Sequence, residues 1–263
     1  MRLPIDSRAS ANDDCAKNFE ITKLITDKTK AILLSNPGNP TGTVYTKEEI
    51  YMLKDIALEY DLFIIADEVY KEFVFDGQEF MSFAHLDEIQ DRVILTDSIS
   101  KRYSACGARI GSIASKNKDL MKEVLKLAQG RLCVATIEQV GAANLINTPD
   151  SYIEEVKAEY WKRRDIVYNA LQKIDGVVCE KPHGAFYLIA KLPIDNAEEF
   201  VVWLLEEFEF NNETVMMAPA EGFYATEGLG KDEVRISYCI NADDLEKAMN
   251  ILNEALKVYP GRI

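Results

Sequence analysis

Histidine is scarce in this chain, with only His85 and His183 in 263 residues. That argues against a zinc site built on imidazoles and against a Ser-His-Asp triad. Paired cysteine motifs are missing too. The five cysteines (Cys15, Cys106, Cys133, Cys179 and Cys239) are scattered, with no C-x-x-C. Such an odd, unpatterned set reads as reduced, mostly buried thiols in a cytoplasmic protein. No apolar run approaches the ~20 residues needed to span a bilayer, and the opening MRLPIDSRAS has no signal-peptide core. Basic charge is also short: 30 Lys and Arg against 44 Asp and Glu leave a net charge of −14. A nucleic-acid backbone or an anionic membrane needs a basic face, so neither is expected as a partner.

What is present is an ordinary globular composition, 48% hydrophobic and 28% charged, in a chain long enough for one large domain or two modest ones. The first half alternates strand-like and helix-like segments, the pattern of an α/β domain with a mainly parallel sheet. KAILLS (30–35) runs into the turn-rich NPGNPTG. Thr46 and Glu49 are spaced as a capping box, and Ile50, Leu53, Ile56 and Ala57 recur at helical spacing behind it. LFIIAD (62–67), RVILTD (92–97) and RIGSIAS (109–115) read as further strands. Helices are expected over 117–129 and 135–146, then a long charged helix over 151–174 whose apolar positions are Tyr152, Val156, Tyr160, Ile166, Val167 and Leu171. Strands follow at 185–192, 214–219 and 233–240, with helices at 197–208 and 242–257. The change of pattern puts a domain boundary near residue 150: a large domain over 1–150, a small α+β domain over 151–263, and the long helix as connector.

In an open α/β sheet, ligands bind beyond the carboxyl ends of the strands. Three successive strands here end in polar chemistry. KAILLS ends in Asn36-Pro-Gly-Asn39-Pro-Thr-Gly42, LFIIAD in Asp67 with Tyr70 three residues on, and RVILTD in Ser98, Ser100 and Lys101. Their convergence on one sheet edge is the signal, since each element alone is weak.

In order and spacing, N-P-G-N-P-T-G, D-E-V-Y and S-I-S-K-R-Y-S-A-C-G-A-R-I-G resemble the pyridoxal-phosphate-dependent aminotransferases of fold type I, the class I/II group that includes aspartate aminotransferase. EVRISYCI is similar to that family's late strand with its substrate-binding arginine. The similarity runs over essentially the whole chain. It implies an α/β fold with a three-layer, mainly parallel sheet in the large domain and a smaller C-terminal α+β domain. It also implies pyridoxal 5'-phosphate as cofactor, an amino acid and a 2-oxo acid as substrates, and a homodimer.

By the resemblance, Lys101 is the Schiff-base lysine that shuttles a proton at the substrate, a task that needs a partly desolvated amine beside cationic groups. The competing reading is a solvated surface lysine. Asp67 pairs with the pyridine nitrogen, or else caps a strand end. Tyr70 and Asn39 hydrogen-bond the phenolic oxygen, against the plainer readings of a core aromatic and a turn residue. Ser98 and Arg109 hold the phosphate, for which a hydroxyl and a guanidinium fork are suited. The small residues Ser104, Ala105, Cys106 and Gly107 let the backbone turn close by. Arg235, inside an apolar strand, needs an anionic partner: the substrate α-carboxylate by the resemblance, an internal acid otherwise. Arg131 reaches a side-chain carboxylate across a dimer, or is a cation at a helix end.

The resemblance begins part-way into the family pattern. Members carry roughly a third more chain before the counterpart of Leu3-Pro4-Ile5. That region supplies a glycine-rich phosphate turn and a ring-stacking aromatic, neither of which precedes KAILLS. The chain therefore reads as a fragment, with exposed sheet edges that invite association, weakened cofactor binding and slight or absent turnover. A carbon–sulfur lyase of the same fold keeps every residue named. A non-enzymatic effector-sensing domain needs a basic helix-turn-helix module that this acidic chain does not show.

Overall fold

The computed structural model of the chain describes residues 20–263; Leu3-Pro4-Ile5 and Cys15 lie outside them. The described residues divide into two compact units, one of residues 20–38 with Thr43–Val156, the other of Asn39–Gly42 with Lys157–Ile263.

In the first unit the sheet order follows the chain: β1 (Ala31–Ser35), β2 (Phe63–Asp67), β3 (Val93–Ser98) and β4 (Gly111–Ala114). The first three strands are parallel and β4 runs antiparallel to β3. Parallel neighbours need a crossover between them, and helix α1 (Lys47–Glu59) supplies it from β1 to β2. Its start is fixed locally. Thr46 Oγ1 accepts the Glu49 N–H at 3.2 Å and Glu49 Oε2 accepts the Thr46 N–H at 2.9 Å. The apolar stripe is the buried face: Ile50, Leu53, Ile56 and Ala57 are each at most 1% exposed, packed with Ile32, Leu34, Ile64 and Phe83. Each of the three larger aliphatics contributes roughly 1.5–3 kcal/mol by leaving water.

Past β3 this unit is thinly covered. A four-residue helix α2 (Ile99–Arg102) carries the chain out of β3. Helices α3 (Lys118–Gly130) and α4 (Thr136–Ala143) bury no residue, and β4 is exposed along its whole length.

Helix α5 (Asp150–Leu171) spans the point of division between the units. The second unit holds an antiparallel sheet in the order β5-β6-β8-β7: β5 (Val178–Cys179), β6 (Tyr187–Lys191), β7 (Ala218–Pro219) and β8 (Glu233–Ser237). Helices α6 (Ala197–Glu206) and α7 (Ala242–Val258) bury Phe200, Leu204, Leu245, Leu252 and Leu256. Phe200, Trp203, Phe208 and Tyr259 form an aromatic cluster with centroid spacings of 4.8–6.1 Å.

Three expectations are corrected. The strand expected over 214–219 is reduced to Ala218 and Pro219, which pair with Arg235 and Val234. Thr214 Oγ1 donates instead to Leu204 O at 2.6 Å, tethering the segment to α6, and Pro219 lacks the N–H to extend a ladder. The cysteines are not buried: Cys106, Cys133 and Cys239 are exposed and Cys179 is half-buried. Cys106 lies on a 3-10 turn, Cys133 past the end of α3, and Cys239 past the end of β8, so no element covers them. Finally, the largest wholly buried side chain of α5 is Arg164, which a reading of apolar spacing passes over. No described helix is long and apolar enough to cross a membrane.

Candidate active site

Sheet register sets out the first group of residues. Ser35, Asp67 and Thr96 are level across β1, β2 and β3. Beyond them Asn36 N donates to Asp67 O (2.9 Å) and Glu68 N to Thr96 O (3.0 Å), so the Asp67 backbone is held from both sides. The period-two alternation of a strand then separates the adjacent acids. Glu68 turns inward, accepting from Ser82 Oγ (2.8 and 2.9 Å) and Phe83 N (3.0 Å). Asp67 stays half-buried, with Val69 N–H on its Oδ1 at 3.2 Å. Burial pushes the Asp67 carboxyl above the usual range, the Val69 N–H opposes this, Asp97 adds to it and Lys101 offsets part of it.

Lys101 lies in α2, immediately after the strand, where Ser98 caps the turn by accepting Ser100 N–H at 3.0 Å. Its Nζ sits 5.9 Å from the centroid of the Tyr70 ring, and Tyr70 is 3% exposed. The structure thus brings Asp67, Tyr70 and Lys101 together. Ser98 pairs with Gly111 and its Oγ donates to Ile110 O at 2.8 Å, which brings the turn carrying Arg109 beside the serine. Arg109 is exposed in a left-handed conformation, φ 55°, with Nη1 on Cys106 O at 3.0 Å. Arg131 is the exposed C-cap residue of α3, the ordinary place for a cation.

In the second unit Arg235 leaves β8 half-buried. Its guanidinium carbon lies 4.8 Å from the Tyr187 ring centroid and 5.1 Å from that of Phe223. Nη1 donates to Asn39 Oδ1 at 3.2 Å, while Nε is buried without a partner. Among the described residues no carboxylate pairs with it. A buried donor left unmade costs about 1–3 kcal/mol. An arginine only donates, so Asn39 must turn its oxygen to it, leaving Nδ2 to donate elsewhere.

Gly42 anchors the loop that carries Asn39. Its carbonyl accepts from His183 N (3.0 Å) and Gly184 N (2.8 Å), and its φ is +71°. A Cβ there would lie 2.3 Å from Pro182 Cβ and 2.7 Å from Tyr187 O. Gly42→Ala is therefore expected to cost about 2–4 kcal/mol, read as a lower midpoint in urea unfolding. A variant as stable as the parent would show the loop to be free of that backbone.

With this geometry in place, comparison with known proteins decides the family. The model of "Aminotransferase class I and II" matches residues 10–252. The chain belongs to the class I and II aminotransferases. It is 35% identical over 239 residues to the aspartate aminotransferase of Bacillus subtilis (strain 168), covering 88% of this chain and 58% of that one. It is 34% identical over 242 residues to aromatic-amino-acid aminotransferase 2 of Thermococcus litoralis, covering 90% and 60%. The crystal structure of the aromatic aminotransferase from Pyrococcus horikoshii OT3 superposes with a TM-score of 0.81 at 32% identity, over 91% of this chain and 63% of that one. The chain thus spans about three-fifths of the length of the relatives it matches.

Aminotransferases of this family use pyridoxal 5'-phosphate. The donor set fits that group: a half-buried acid, a lysine and a tyrosine at adjoining strand ends, and a serine–arginine turn beside them. Sequence reasoning missed Tyr187 and Phe223, the aromatic walls of Arg235. Tyr187 pairs with Ser237 in the β6–β8 ladder, which makes it a diagonal neighbour of Arg235, but that register is visible only once the strands are paired.

Proposed function

We propose that the aminotransferase to which this chain belongs transfers an amino group from an L-amino acid, preferentially an acidic one, to a 2-oxo acid in ping-pong order on pyridoxal phosphate, with weakened cofactor binding and slight or absent turnover by these 263 residues alone. The observation that carries this reading is Arg235. It is a half-buried guanidinium between two rings with an unmade Nε donor and no acid of its own among the described residues. A bidentate pair with the substrate α-carboxylate completes it.

Bound pyridoxal phosphate supplies the electron-withdrawing ring that takes up the electron pair of the Cα–H bond. The chain's own residues would do the rest. Lys101 would hold the cofactor aldehyde and then carry the proton at the substrate carbon. Asp67 would keep the pyridine nitrogen protonated. Tyr70 and the Asn39 amide nitrogen would donate to the phenolic oxygen, while Ser98 and Arg109 would hold the phosphate. The relatives' names cover aspartate and aromatic amino acids. Arg131 of a second copy is the proposed partner for an acidic side chain.

The test is visible absorption of the purified chain with added pyridoxal phosphate, then borohydride reduction and peptide mapping. A yellow band trapped on Lys101, bleached by aspartate more readily than by phenylalanine, is expected. No band and no labelled lysine would remove the reading. Release of ammonia in place of an amino-acid product would move the chemistry to a lyase.

A cytoplasmic homodimer belongs to the same proposal. Leu127, Leu132, Ile137 and Ile146 are 75–88% exposed in and beside α3 and α4, a density of large apolar groups that favours association. Sedimentation is expected to show association rising with concentration, and Leu127→Glu with Ile137→Glu to shift it toward monomer. A monomer at all concentrations would contradict this.

A further inference from the structure

Arg102 follows the site lysine and has no part in the chemistry above. Its side chain is 15% exposed, Nη2 is paired with Asp97 Oδ2, and Nη1 lies 3.6 Å from Glu72 Oε1. Asp97 Oδ2 also lies 3.5 Å from Lys71 Nζ, and Asp97 Oδ1 accepts Ser98 N–H at 2.7 Å. Each member of this network adjoins a residue of the candidate site or stands beside one that does. Asp97 precedes Ser98, Arg102 follows Lys101, and Lys71 and Glu72 follow Tyr70.

We propose that Arg102 is the positioning residue of the Lys101 site: its fork clamps the lysine turn to Asp97 and Glu72, fixes that turn against the end of β2 and the loop after it, which carry Asp67 and Tyr70, and shields Asp67 from the charge of Asp97. A surface ion pair contributes about 0–1 kcal/mol and would be unremarkable. Arg102 is different, because a largely buried guanidinium whose Nε has no partner is costly unless the arrangement is used. Only arginine reaches two acids with one planar head, so lysine cannot replace it in full.

The charges facing Asp67 are Asp97 and Lys101, and those facing Asp97 are Arg102, Lys71, Asp67 and Glu68. Asp67 is already lifted by burial and by Asp97. Removing the Arg102 cation uncovers Asp97, disfavours ionised Asp67 further and moves its titration to higher pH. A protonated Asp67 cannot hold a cationic ring nitrogen, so the clamp serves the proposed chemistry. The inference rests on that reading of Lys101 and Asp67.

The experiment is a carbon-13 carboxyl NMR titration of Asp67 in the chain without cofactor, for the parent, Arg102→Gln, Arg102→Lys and Asp97→Asn. The Asp67 midpoint is expected to move up in Arg102→Gln, to return part-way in Arg102→Lys, and to move down in Asp97→Asn. An unmoved midpoint in Arg102→Gln, even with a lower Tm, would leave a structural ion pair and overturn the proposal. Should Arg102→Gln fail to fold, an unmoved Asp67 in Asp97→Asn overturns it equally. Because no cofactor is present, failure of Lys101 to take pyridoxal phosphate is a separate result that sinks the function and not the clamp.

Discussion

Lys101→Ala is expected to abolish covalent capture of pyridoxal phosphate, and Lys101→Arg to do the same despite keeping the charge. Reversible condensation with an aldehyde needs a primary amine, which a guanidinium does not offer. The position is special because of what surrounds it. β3 ends at Ser98, the serine caps the short turn, and Nζ is carried to within 5.9 Å of the buried Tyr70 ring. Exposed lysines also form weak adducts with aldehydes, so residue-level mapping after borohydride reduction is the measurement. Lys71 is the informative control, since its ammonium lies 3.5 Å from Asp97, an acid that in turn faces Asp67. Label that persists in Lys101→Ala and maps to Lys71 would show a surface reaction. Label confined to Lys101 shows a built site. Asp67→Asn is then expected to leave capture in place and to remove amino-group transfer, because the amide cannot stabilise a protonated ring nitrogen.

Local rules made part of this molecule readable without coordinates. A capping box and four apolar positions sufficed for α1, because helix start and buried face are set within one or two turns of sequence. Strand-end polarity likewise pointed to Asp67, Tyr70 and Lys101, since parallel strands in one sheet present their carboxyl ends on one side. Interactions set by non-local pairing stayed hidden. Tyr187 and Phe223 reach Arg235 from 48 and 12 positions away, distances that follow from subtracting their residue numbers. The Arg102 fork joins an acid near the end of β3 to one in the loop after β2. The segment before β7 has strand-like composition, yet Thr214 bonds the end of α6 and Pro219 halts the ladder. β-propensity describes fit to a half-buried pleat, and no pleat is offered to Met216, which is 79% exposed.

Arg164 and Arg235, both in the second unit, are expected to respond to substitution in opposite ways. Arg164 is wholly buried on α5, with Nε and Nη2 on Asp165 Oδ1 at 3.0 and 2.9 Å and Nη1 on Pro182 O at 2.9 Å. Arg164→Ala leaves the buried Pro182 carbonyl without its donor, takes from Asp165 one of its two cations (the other is Lys181 at 3.3 Å) and opens a cavity. A loss of about 3–5 kcal/mol is expected, a large share of a domain's total. The damage should also loosen the Pro182–Gly184 segment that holds Gly42. Arg235 has its Asn39 bond but an unmade Nε, so the fold gains little from its charge. Arg235→Leu keeps the apolar contact with Tyr187 and Phe223 and removes the orphan donor. Its stability is expected within about 1 kcal/mol of the parent, on either side. Affinity for 2-oxoglutarate is expected to fall about 100-fold, the loss of a charge-assisted carboxylate pair of roughly 2–3 kcal/mol. Urea unfolding and a fluorescence titration with 2-oxoglutarate read the two quantities separately. Were Arg235→Leu to unfold as readily as Arg164→Ala, the strand arginine would be a structural ion and the carboxylate would need another host.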